Sequence, residues 1–193
     1  HISDINLPYT EHSRRYLLAE GFRREHIFVT GSPMAEVISR NRAKIDASEA
    51  LAEYGVERGK YFVVSMHREE NVDLDHKFAE LVKALDAMAG AYSLPVIFST
   101  HPRTMKRLEA KGVAFHTLIR NVEPLGFTDY CRLQLDAKCV ISDSGTLSEE
   151  SSMLRFPAVL LRDSTERPEV LDKGLVVMGG YRAKTLLPSI EMA

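Results

Sequence analysis

Lys138-Cys139-Val140-Ile141-Ser142-Asp143-Ser144-Gly145-Thr146-Leu147-Ser148-Glu149-Glu150 passes from an apolar run, through a short polar loop with one glycine, into an acidic segment of helical spacing. A near-continuous apolar run of this length reads as a strand covered on both faces. The glycine lets the backbone bend tightly, and Glu149 and Glu150 suit the first turn of a helix, where the peptide dipoles present positive partial charge. Strand, polar loop and helix in this order form half of a βαβ unit.

The same pattern recurs on both sides. Tyr61–Met66, Pro95–Ser99 and Ala158–Leu161 are further apolar runs read as buried strands. Between them, His76–Ala89 puts Phe78, Leu81, Val82, Leu85 and Met88 on one helical stripe. Pro102–Ala110 opens with proline at the first helical position, and Phe127–Asp136 and Thr146–Leu154 are shorter helices. Strands alternating with helices over short links predict an α/β fold, a Rossmann-like, doubly wound parallel sheet over residues 41–193. Residues 1–40 read as a separate strand–helix–strand piece: Ile5–Thr10, a helix over Glu11–Glu20 stopped by Gly21, and Ile27–Pro33. Strands without sequence neighbours point to a home sheet elsewhere, in preceding chain or another subunit. The absence of an initiator Met fits a fragment or a trimmed chain.

Of the 193 residues, 45% are hydrophobic and 27% charged, with a formal net charge of −2. No global field attracts nucleic acid or an anionic membrane, and no apolar run approaches the roughly 20 residues that cross a bilayer. No signal peptide is visible. Cys131 and Cys139 form no CxxC pair and no metal-ligand spacing, so both are expected as reduced core residues in a cytoplasmic protein.

Three polar segments follow predicted strands, and in open α/β sheets ligands bind beyond the carboxyl ends of the strands. In the first, Ser65–Asn71, His67 can carry a proton or contact a phosphate, Arg68 supplies fixed positive charge, and Glu69 and Glu70 can orient either. A solvated loop capping the next helix is the alternative. In the second, Ser144, Gly145 and Thr146 offer hydroxyls and backbone N–H groups to an anion. Glu150, one turn on from Thr146, can accept both hydroxyls of a ribose; plain helix capping by Asp143 or Ser144 competes with that reading. The third, Arg162–Glu169, carries arginines able to pair with phosphate, or to make an ordinary surface ion pair with Glu166 or Glu169. His101 can line the same crevice, or cap or pack its helix. Leu125, Phe127 and Tyr130 can seat a flat base or simply join the core. No Walker loop and no GxGxxG run is present. The set suits a nucleotide diphosphate without a metal.

Taken in order, Thr30-Gly31-Ser32-Pro33, His67-Arg68-Glu69-Glu70-Asn71, His101-Pro102, Pro124-Leu125, Asp143-Ser144-Gly145-Thr146, Glu149-Glu150 and Thr165-Glu166-Arg167-Pro168-Glu169 resemble the non-hydrolysing UDP-N-acetylglucosamine 2-epimerases over nearly the whole chain. The resemblance implies two Rossmann-like domains in the GT-B arrangement with the active site between them. This chain corresponds to the second, UDP-binding domain (41–193), and residues 1–40 to the tail of the first. It implies that Leu125 and Tyr130 border uracil, that Ser144, Gly145 and Thr146 hold the diphosphate, that Glu150 binds ribose and that Arg167 meets the phosphates. His67 would contact the diphosphate and assist departure of UDP, with Arg68 beside it.

The implied reaction inverts C2 of a UDP-2-acetamido sugar by elimination and re-addition of UDP. It uses no redox cofactor or metal, in a cytoplasmic homodimer serving cell-surface polysaccharide biosynthesis. The acids acting at C2 would lie in the first domain, so this chain alone is expected to be inactive. Thr146, where many 2-epimerases have a second glycine, and Pro124-Leu125-Gly126-Phe127 look more like a sister group acting on 6-deoxy UDP-amino sugars, as in UDP-N-acetyl-L-fucosamine synthesis. A GT-B glycosyltransferase domain and a free-standing UDP-sugar-binding module are the readings outside this reaction.

Overall fold

The computed structural model describes residues 2–66, 74–165, 174 and 176–193. The segments 67–73 and 166–173, with 175, lie outside them, and so do His67, Arg68 and Arg167. The chain divides into two compact units, 1–40 and 41–193.

In the first unit, α1 (Glu11–Ala19) starts at Thr10, whose hydroxyl accepts the Ser13 N–H at 3.2 Å, and stops at Gly21, which takes φ +89°. The expected strands on either side reduce to a single parallel bridge, Asn6 with Ile27. Three backbone hydrogen bonds hold it: Asn6 N–H to His26, Phe28 N–H to Asn6 and Thr30 N–H to Pro8. Ile27 is buried, whereas Ile5, Leu7, Phe28 and Val29 are exposed. Among the described residues no third strand extends this pairing, and an isolated two-stranded pairing gains little stability on its own. Met34–Asp46 forms α2, which begins in the first unit and ends in the second.

The second unit contains a parallel sheet flanked by helices. In chain order it runs α3 (Ala50–Glu53), β1 (Phe62–Met66), α4 (Asp75–Tyr92), β2 (Val96–Thr100), α5 (Pro102–Ala110), β3 (Ile119–Val122), α6 (Phe127–Asp136), β4 (Cys139–Ser142), α7 (Leu147–Leu154), β5 (Ala158–Leu160), β6 (Val177–Met178) and α8 (Ala183–Met192). The strand order is β3-β2-β1-β4-β5-β6, all pairs parallel. The chain builds outward from β1 to one edge, then returns to the middle at β4 and builds to the other. β1 and β4 therefore flank the point where the winding reverses, which makes the fold doubly wound and Rossmann-like.

Side chains alternate across the sheet. Phe62, Val64, Met66, Val96, Phe98, Cys139, Ile141 and Val159 share a core cluster with Phe78, Leu81, Leu85 and Met88 of α4, Leu108 of α5, and Leu186 and Ile190 of α8. Val63, Ile97 and Val140, on the opposite face, are equally buried. There Tyr61, just before β1, donates from its hydroxyl to the Leu133 carbonyl of α6 at 2.6 Å, tying sheet to helix. The four apolar runs read from sequence are the central strands. The edge strands escaped that reading because each is covered less: Arg120 and Asn121 of β3 are exposed, and β6 is two residues long. The α8 helix escaped too, since Pro188 lies inside it. The α4 helix runs past its predicted end to Tyr92 and closes on Ser93 at φ 51°.

Cys131 and Cys139 are free and buried, and burial pushes both thiols up to about 12. At pH 8 both should resist thiol-specific reagents in the native protein and react on denaturation, as read by absorbance; fast native-state labelling contradicts the packing. Gly179, just past β6, is the tightest glycine described: a Cβ there would lie 2.5 Å from Val159 Cγ1. Gly179→Ala is expected to destabilise by about 1–3 kcal/mol through overpacking, measured by denaturant unfolding.

Candidate functional site

Because every strand pair is parallel, the segments that follow the strands leave from one edge of the sheet. β1 and β5 flank β4 on either side. The strands leading into His67 and into Arg162–Glu169 thus sit beside the strand leading into Ser144. The side chains of His67, Arg68 and Arg167 themselves lie outside the described residues.

At the reversal point, Ser65 of β1 is in register with Ser142 of β4, and their hydroxyls are 3.2 Å apart. Ser142 Oγ also accepts the Ser144 N–H at 3.0 Å, folding the loop back onto its own strand. Ser144 Oγ lies 2.9 Å from Thr146 Oγ1 and accepts the Thr146 N–H at 3.3 Å. Ser144, Gly145 and Thr146 remain half-buried, while Asp143 is wholly buried. Thr146 is the residue before α7 and makes no side-chain cap to that helix. The Ser144 hydroxyl instead takes the Thr146 N–H at the helix entry, so a capping contact and a half-buried polar loop coexist here. Its hydroxyls are engaged within the loop, and the helix start lies directly behind them.

Glu150 follows one turn into α7, its N–H donating to the Thr146 carbonyl at 2.9 Å. Its side chain is 7% exposed and accepts from Gln134 Nε2 at 2.7 Å. Gln134 is fully buried on α6, one turn beyond Tyr130. Burial is the main cause that pushes the Tyr130 phenol up to about 12; polar contacts from Ser65 and Gln134 pull it down, and the charge of Glu150 raises it. Ser65, Tyr130, Gln134 and Glu150 thus form one polar cluster reaching from β1 to α7. Leu125 is half-buried and Phe127 is exposed, so the loop before α6 leaves apolar surface open beside Tyr130.

Two other expectations change. Arg162 is buried rather than on the open surface, and its expected ion-pair partners Glu166 and Glu169 lie outside the described residues. His101 is exposed and packs into no core; its carbonyl closes the first turn of α5 by accepting the Met105 N–H at 3.0 Å. Gln134 went unread because a polar residue in an otherwise amphipathic helix carries no motif; its place on the stripe with Tyr130 was the available signal. Arg182 and Lys184 also went unread, since β6 was not recognised before them. With Arg162, Asp163, Gly179 and Tyr181 they line a recess of about 350 Å³ at the ends of β5 and β6. Among the described residues no cluster of three or more His, Cys, Asp or Glu is placed to hold a metal, and no helix is long and apolar enough to cross a membrane.

A doubly wound parallel sheet with a hydroxyl-bearing loop at its reversal point defines a Rossmann-like ligand-binding domain. The family profile for UDP-N-acetylglucosamine 2-epimerase matches residues 1–193, and the chain belongs to that family. A UDP-N-acetylglucosamine 2-epimerase of Methanocaldococcus jannaschii is 32% identical over 200 residues, covering 100% of this chain and 54% of the relative. The crystal structure of the Methanocaldococcus jannaschii enzyme in complex with UDP-GlcNAc and UDP superposes with a TM-score of 0.91 at 31% identity, over 100% of this chain and 54% of that one. The Rickettsia bellii UDP-N-acetylglucosamine 2-epimerase structure gives a TM-score of 0.87 at 41% identity, over 99% and 51%. The chain spans about half the length of the relatives it matches. These structural neighbours are GT-B-like epimerases.

Tyr130 gives the site a pH signature. Its folded pKa lies above the ordinary 10, so its contribution to stability is complete below pH 10 and is lost as pH rises toward 12. Ultraviolet titration of the native protein should show a phenol ionising near 12 that Tyr130→Phe removes; an unchanged titration contradicts the burial of this group.

Proposed function

We propose that this chain is the nucleotide-binding half of a UDP-N-acetylglucosamine 2-epimerase, and that residues 1–40 are the tail of its N-terminal domain. The observation that carries the reading is the Ser144–Thr146 loop at the reversal point of the sheet, one helical turn from the buried Glu150 carboxylate. Family membership along the whole chain supports the reading, as does the relative whose crystal structure contains UDP-GlcNAc and UDP. For the first unit, support comes from exposed Ile5, Leu7, Tyr16, Leu18 and Phe28, an apolar surface that further chain would cover.

In this scheme uracil lies against Leu125 and Tyr130. The ribose hydroxyls meet Glu150, and the diphosphate meets Ser144, Gly145, Thr146 and Arg167. Arg68 adds positive charge beside it. His67 stabilises the departing UDP and hands it a proton. A carboxylate of the N-terminal domain takes the C2 proton as the C1–O bond breaks, giving a C1=C2 double bond and UDP, which then re-adds at C1 as C2 is protonated from the opposite face. The hard part is stabilising the leaving diphosphate while a weakly acidic proton is removed. Acids of the N-terminal domain act at C2, so the isolated half does not turn over. The intact enzyme is a cytoplasmic homodimer, its substrate UDP-GlcNAc or a related UDP-amino sugar. Thr146 in place of a second glycine favours a 6-deoxy UDP-amino sugar as a second reading, with the same chemistry.

Incubating the intact protein with UDP-GlcNAc and with a 6-deoxy UDP-amino sugar in D2O is expected to place deuterium at C2 of the true substrate, read by NMR. Release of the sugar without C2 exchange would instead mark a glycosyltransferase and overturn the proposal. His67→Ala and Arg167→Ala should each weaken UDP binding about tenfold or more by calorimetry; unchanged affinity in both removes their assigned roles.

A further inference from the structure

Gln134 has no place in the scheme above, yet it is fully buried at a position of α6 where an apolar side chain would pack. Burying an amide is unfavourable unless its groups are paired. One is: Nε2 donates to Glu150 Oε2 at 2.7 Å, at the short end for a hydrogen bond to a charged acceptor. The other is not: Gln134 Oε1 has no hydrogen-bond partner. The amide therefore keeps one acceptor unmet in order to present its NH2 group to the carboxylate. Turning it over would set Oε1 against a negative charge.

We propose that Gln134 is a positioning residue that holds the Glu150 carboxylate as the acceptor for a ribose diol, and thereby sets the preference of the site for ribonucleotides over 2′-deoxyribonucleotides. This deepens the uridine diphosphate reading and rests on it. A carboxylate on a helix has three rotatable bonds, and left to itself it would swing toward water or the Tyr130 hydroxyl. The 2.7 Å bond from a second helix fixes the plane of the group. Among the described residues, Gln134 is the hydrogen-bond donor to this carboxylate, so the lone pairs it leaves are those a diol can use. A carboxylate only 7% exposed is poorly hydrated, so a ligand lacking one hydroxyl leaves it under-satisfied. Sites built to bond a substrate hydroxyl reject the analogue without it for this reason. A carboxylate free to turn would find water and lose that penalty.

The test is calorimetric titration of the intact protein with UDP and with 2′-deoxy-UDP, for the unmutated protein and for Gln134→Met, which conserves volume but removes the donor. The unmutated protein should favour UDP by about tenfold or more, and Q134M should shrink the ratio to below about threefold. A purely structural tie between helices would lower affinity for both ligands and leave the ratio alone; an unchanged ratio overturns the proposal. Equal binding of the two ligands by the unmutated protein overturns it too, while sparing the uridine diphosphate reading. No binding of UDP at all defeats that underlying reading instead. Should Q134M not fold, the side-chain amide resonance of Gln134 in the unmutated protein decides. It should move on saturation with UDP and move less with 2′-deoxy-UDP, and a resonance indifferent to the 2′-hydroxyl overturns the assignment.

Discussion

The parallel pairing of β1 with β4 is the constraint on which the rest of the second unit depends. These strands are far apart in sequence, yet Phe62, Val63, Val64 and Ser65 align with Cys139, Val140, Ile141 and Ser142. Seven of these eight side chains are buried, so a slip of one residue would turn each strand's apolar set onto the wrong face. The register ends with two serines side by side at the carboxyl edge. Their hydroxyls lie 3.2 Å apart, and one of them accepts the first N–H of the Ser144 loop. The same pairing that closes the core therefore shapes the loop for which diphosphate binding is proposed.

Polar groups at this edge are supported from below. Tyr130, Gln134 and Glu150 are placed by α6 and α7, whose Leu133 and Leu147 are fully buried. Glu150 sits on the first turn of α7, where the helix dipole favours negative charge. That favourable field and the Gln134 amide together offset the cost of burying a carboxylate. An acidic group so held is rigid, and rigidity distinguishes a group that recognises a ligand from one that merely decorates a surface.

The two units differ in kind. Residues 41–193 bury their apolar side chains in their own core, whereas residues 1–40 expose most of theirs and share a single parallel bridge. The first segment has the helix and glycine stop that its sequence predicts, but its two expected strands meet only in that bridge. Apolar runs such as Ile27–Val29 have the composition of strands, but a ladder needs neighbours on which to pair.

Local pattern by itself determined the fold class, the four central strands, the helices α4 to α7 and the loops at which the chain places its polar residues. It could do so because a strand covered on both faces must be apolar throughout, and a crossover helix must carry a stripe. The edge strands β3 and β6 and the proline-containing α8 required tertiary structure, since partial burial weakens the periodic signal. So did the order of strands that brings Ser65 beside Ser142. The bond from Gln134 to Glu150 is the clearest case: two residues 16 apart on different helices meet only because both helices pack on the same face of one sheet, and no spacing along the chain encodes that meeting.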